Sequence, residues 1–108
     1  MKGQPRMTTS AILQKWDILQ RAYEGSDELE RVVDKLLAGK LSENRLLLAR
    51  YDRDLAGFES RYGMRSKDFY ELFEAGKLGD AMDYFEWAGL WELRQRLYDK
   101  LRDLERTM

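Results

Sequence analysis

The chain has 108 residues, 44% hydrophobic and 36% charged, with 19 basic residues against 20 acidic ones. A chain of this size is expected to form one domain and to bury roughly 65% of its unfolded surface; the balanced charge weighs against a protein whose whole surface meets nucleic acid or membrane. Cysteine and histidine are both absent, which removes disulfides, Ser–His and Cys–His nucleophile pairs, histidine bases and nearly all zinc and copper sites.

Helix is the one periodicity present, and it predicts an all-α protein. Residues 1–8, with the single proline at Pro5, are expected to be a disordered N-terminus, followed by one helical domain over 9–108. Ile12, Trp16, Leu19 and Tyr23 recur at helical spacing and predict a first amphipathic helix over about 9–24. Gly25 is its stop signal. Ser26 and Asp27 then open a second helix, with Asp27, Glu28 and Glu30 placed at its positive end. Leu29, Val32, Val33, Leu36 and Leu37 line the face expected to be buried.

From Leu37 the pattern tightens into a seam: Leu37, Leu41, Asn44, Leu48, Tyr51, Leu55, Phe58 and Tyr62, in alternating steps of four and three. That repeat keeps one stripe of a helix facing a partner helix. Gly39 and Ser42 read locally as a helix end and a new start. The heptad phase nevertheless passes from Leu37 through Leu41 without a slip, and this favours one helix over 27–62, at about 1 kcal/mol for the interior glycine. Such a helix would run about 54 Å, against a diameter of about 35 Å for a compact domain of this size. A second chain is the simplest cover for its stripe, so the seam predicts a coiled-coil-like homodimer. Asn44 reads either as a buried register-setting asparagine or as a residue at a partly exposed edge.

Gly63 ends the long helix. Ser66 is expected to cap a short helix over 66–75 with Phe69, Leu72 and Phe73 inward, and Asp80 to cap a last helix over 80–106. The short and last helices are expected to pack back on the long one. Gly57 and Gly89 fall inside helices, where glycine often marks a close backbone approach.

Eleven of the 13 aromatic residues lie between Tyr51 and Tyr98. Phe69, Tyr70, Phe73, Trp87 and Trp91 are expected to make an aromatic core that fastens the short helix. The stretch from Phe58 to Leu90 carries Phe58, Glu59, Tyr62, Gly63, Met64, Ser66, Phe69, Tyr70, Phe73, Gly76, Leu78, Gly79, Asp80, Asp83, Glu86, Trp87 and Leu90 in fixed spacing. In this it resembles a family of small, mostly uncharacterised prokaryotic helical proteins, with Arg61 at a position where that family usually has lysine. The resemblance covers about a third of the chain. It implies a motif core of Gly63, Met64, Phe69, Tyr70, Phe73, Leu78, Trp87 and Leu90. Because such genes often lie beside toxin-like genes, it also implies an antitoxin or accessory role by association.

The chemistry that remains rests on carboxylates. Asp80, Asp83 and Glu86 are spaced three apart, an arrangement that suits either the positive end of a helix or a divalent cation held by oxygen ligands; the first reading is favoured, and no metal or other cofactor is expected. Residues 66–92 hold two lysines against seven acids, a net charge of −5. Asp68, Glu71, Glu74, Asp80, Asp83 and Glu86 therefore form a candidate acidic face for a basic, toxin-like protein partner. The same acids at the start of the last helix would repel DNA, so nucleic acid is not an expected ligand. No apolar run approaches the roughly 18 residues of a membrane span. These observations predict a non-enzymatic, cytoplasmic, dimeric protein-interaction module. The alternative is a helical protein that binds a small molecule or divalent metal through Asp80, Asp83, Glu86 and the nearby tryptophans.

Overall fold

A computed structural model describes residues 4–107. Four α-helices follow in chain order: α1 (Gln4–Ala22), α2 (Glu28–Tyr62), α3 (Ser66–Glu74) and α4 (Met82–Thr107). The described residues contain no strand. The protein is thus all-helical, with a long second helix and a long C-terminal helix.

The helix ends follow from local chemistry. Gln4–Thr8 belong to α1, which corrects the expectation of a disordered N-terminus over that stretch; residues 1–3 lie outside the described residues. Pro5 fits because a first-turn N–H has no intrahelical acceptor to lose. The Ser26 hydroxyl accepts from the Glu28 N–H at 3.1 Å and caps α2. At the end of α2, Gly63 takes φ +65°, a left-handed conformation that glycine adopts without strain. Its N–H reaches the Glu59 carbonyl at 2.8 Å.

α2 passes through Gly39 without interruption. The chain divides into two compact units within this helix, Met1–Leu37 and Ala38–Met108. In the first unit no residue from Ser10 to Leu37 is buried. Leu29, Val33 and Leu37 are half-buried, and a shallow cleft runs between Trp16 on α1, Tyr23 just past its end, and Leu29 and Val33 on α2. Ile12, Leu13 and Leu36 are each 60% exposed or more.

The second unit holds the core. α4 runs antiparallel to α2: Arg45 bonds Glu105 at 2.9 Å, Arg94 bonds Asp52 at 2.8 Å and Arg61 bonds Asp83 at 2.7 Å. On α4, Leu97 and Leu101 are buried and Leu104 is half-buried. Leu41, Asn44 and Leu55 are buried within the single chain. Three residues of the seam are thus covered without a second copy, while Leu48, Tyr51, Phe58 and Tyr62 are half-buried. The heptad phase had identified a helix that needs a partner helix, and α4 of the same chain supplies one. Asn44 is buried, not at an exposed edge.

α3 ends at Gly76, φ +70°, where the Lys77 N–H bonds the Leu72 carbonyl and the Gly76 N–H bonds the Phe73 carbonyl, both at 3.0 Å. That pairing closes a helix C-terminus by satisfying two otherwise unpaired carbonyls. Asp80 does not cap α4, which begins two residues later at Met82.

Candidate functional site

The segment from Phe58 to Trp91 assembles around one indole. Trp87 and Phe69 are both fully buried, and their rings stack face to face with centroids 3.8 Å apart. Phe58 and Tyr62 stack on Trp87 at 5.6 Å each, and Tyr84 closes on Tyr62 edge-on at 5.6 Å. Leu55 and Ala88 complete the buried cluster, with Met64, Tyr70, Phe73, Leu78, Leu90 and Trp91 packed around it. Of the eight residues assigned to the motif core, seven meet here. Gly63 is exposed and acts through its backbone. Trp87 is thus enclosed within the core, and Trp91 packs half-buried against it.

The polar groups of this core form a short relay across three elements. Trp87 donates its indole N–H to the Ser66 hydroxyl at 2.9 Å, and the Ser66 N–H donates to the Glu59 carboxylate at 2.9 Å. Ser66 is thus the first residue of α3 and not its cap, and the preceding Arg65 makes no side-chain cap bond. Glu59, reaching across the Gly63 turn from α2, places a carboxylate at the positive end of α3. Sequence reasoning missed this role, although Glu59 and Ser66 both stood in the recognised pattern. Their seven-residue separation spans a turn and matches no local capping box.

Asp83 sits at the centre of a second cluster. Its Oδ2 accepts from the Tyr62 hydroxyl at 2.6 Å and from Arg61 at 2.7 Å. The Tyr62 hydrogen bond first, and then Arg61, hold the Asp83 carboxyl below the usual carboxylate range. The bond to Asp83 in turn pushes the Tyr62 phenol up. Tyr70 donates to Glu92 at 2.7 Å, and that bond, with burial second, pushes its phenol up to about 12.

The pH consequence for Asp83 follows from the direction of its shift. A depressed native value means that the Asp83 contribution is present above the ordinary carboxylate value of 3.8 and is lost as pH falls through the lower native value. Asp83→Asn is therefore expected to lower the urea midpoint at neutral pH. The gap between wild type and variant should close below about pH 4. Urea titrations of both proteins at a series of acid pH values measure it, and a gap independent of pH would contradict the clamp.

The remaining acidic residues divide. Asp68 and Glu71 pair locally with Arg65 and Lys67, at 3.8 and 3.0 Å. Glu74, Asp80 and Glu86 are exposed and have no ion-pair partner among the described residues. Asp80, Asp83 and Glu86 do not converge. Among the described residues, no group of three or more acidic side chains is placed to hold a metal ion. Likewise, no helix among them is long and apolar enough to cross a membrane. Compared with known proteins, the chain matches no family model, no curated protein and no solved structure.

Proposed function

We propose that the protein is a non-enzymatic, cytoplasmic, homodimeric interaction module whose acidic face binds a basic protein partner, in the manner of an antitoxin and its toxin. The observation that carries this reading is the exposed pair Glu74 and Asp80, without an ion-pair partner among the described residues and mounted on a tightly packed aromatic core. Exposed acids on a rigid support offer long-range attraction to a basic surface, which speeds encounter and selects the partner's sign of charge. Local pairs such as Lys67–Glu71 are solvent-exposed, and ion pairs of that kind contribute little to stability, so Glu71 is free to exchange its partner on binding. The alternative reading, a divalent-cation or small-molecule site, loses support because Asp83 is committed to Tyr62 and Arg61 and Trp87 is enclosed in the core.

The test is co-purification of the tagged full chain from its native host at native expression. A basic protein in fixed stoichiometry is expected, lost on raising salt and lost with the double variant Glu74→Lys, Asp80→Lys. Recovery of the chain without a protein partner, or a partner indifferent to both changes, would overturn the reading.

A further inference from the structure

The α2–α4 pair carries an open groove of about 820 Å³, bordered by Phe58 and Leu90 at the edge of the aromatic core, with Arg53 and Gly57 on α2 and Phe85, Glu86, Gly89 and Leu93 on α4. Phe85 and Leu93 are 53% and 44% exposed, and Phe85 also meets the Phe73 ring edge-on at 5.5 Å. Between them lie the two glycines, which the antiparallel register sets opposite each other. Glycine weakens a helix interior, so each needs a reason to be there. Packing within the chain supplies none, since a Cβ added at Gly57 or at Gly89 would meet nothing within 4 Å. The expectation that one or both of these glycines mark a close helix–helix approach is thus corrected: the space they leave opens outward.

We propose that a second copy of this chain docks in this groove, about a two-fold axis passing close to Gly57 and Gly89. The inference rests on the reading of the protein as a dimer and locates the interface at the groove instead of along the seam. Its support is the groove's self-complementarity. At 1.5 Å per residue, Phe85 and Leu93 lie about 6 Å to either side of Gly89 along the axis of α4. A two-fold axis there exchanges the two positions, setting Phe85 of one copy against Leu93 of the other. Glu86 lies about 4.5 Å toward the Phe85 side. Arg53, one turn from Gly57 on the antiparallel helix, lies about 6 Å toward the Leu93 side. The same axis therefore brings Glu86 of one copy level with Arg53 of the other. Neither residue has an ion-pair partner among the described residues.

Two apolar contacts and two opposite-charge contacts, arranged around a centre without side chains, are what an isologous interface requires. The charges lining the groove also cancel, Arg53 and Arg96 against Asp54 and Glu86. It therefore offers no pull on a strongly basic partner, which distinguishes it from the acidic face.

Sedimentation equilibrium of the full chain across a concentration series tests this. Wild type is expected to approach twice the 12.8 kDa monomer mass. Gly57→Leu and Gly89→Leu should each weaken association by about 100-fold, because a bulky side chain at the centre would hold the two copies apart. Their helical circular dichroism should stay unchanged, because a Cβ at either position meets nothing of the single chain within 4 Å. Glu86→Arg and Arg53→Glu should each weaken it about tenfold, and the double exchange should restore it. This second pair keeps the test sound should a leucine variant fold poorly. A wild-type dimer indifferent to all four single changes would overturn the groove and leave the dimeric reading standing. A chain that stays monomeric throughout the series would overturn both.

Discussion

Trp87→Ala is expected to cost about 3–5 kcal/mol of folding stability, the range for removing a large buried aromatic. Trp87 is fully enclosed, stacked on Phe69 at 3.8 Å and flanked by Phe58 and Tyr62. Its removal leaves a void walled by rigid rings on three helices, and such a site relaxes poorly because stacked aromatics have few alternative rotamers. It also orphans the Ser66 hydroxyl. The loss is a large share of the roughly 5–15 kcal/mol that holds a small protein folded. Urea denaturation followed by circular dichroism measures it. The slope of free energy against urea should stay near wild type if the second unit still unfolds as a whole. A cost under about 1.5 kcal/mol, the level of a tolerated swap, would mean that the indole is not the keystone of this core.

The next largest expected effect is at Ser66. Ser66→Ala removes one oxygen and leaves the Trp87 indole N–H buried without an acceptor, at about 1–3 kcal/mol. Volume changes little, so the cost reports the hydrogen bond and not a cavity. Trp87→Phe abolishes the donor and keeps an aromatic ring in the stack. In the Trp87→Phe background, Ser66→Ala should therefore cost clearly less than it does alone, because no donor remains to be orphaned. Equal costs in the two backgrounds would show that the two residues do not couple.

The α2 seam shows where sequence reasoning carries and where it stops. Heptad phase recognised one helix across Gly39, because a hydrophobic stripe is written locally in the chain. The identity of the covering helix is not written there. Leu97, Leu101 and Leu104 carry the same periodicity as any other partner, and the antiparallel pairing with α4 becomes visible only through Arg45–Glu105, Arg94–Asp52 and Arg61–Asp83. The aromatic core was legible for a similar reason: Phe69, Phe73 and Trp87 cluster in sequence and on helix faces. The polar relay was not, since the partners of Ser66 lie seven and 21 residues away. Asp83 was read as part of an acidic surface because charge composition is blind to a tyrosine hydroxyl arriving from another helix.

A helix that crosses a unit boundary need not be equally secure along its length. α2 keeps an unbroken backbone ladder from Glu28 to Tyr62, but every buried side chain on it lies C-terminal to Gly39. N-terminal to that glycine, opening the ladder exposes no buried side chain, only the half-buried Leu29, Val33 and Leu37. Those turns are free to fray and re-form while the turns beyond remain shut, since local opening is governed by buried contacts more than by hydrogen-bond continuity. Gly39 thus marks a step in durability along a helix that shows no break in form.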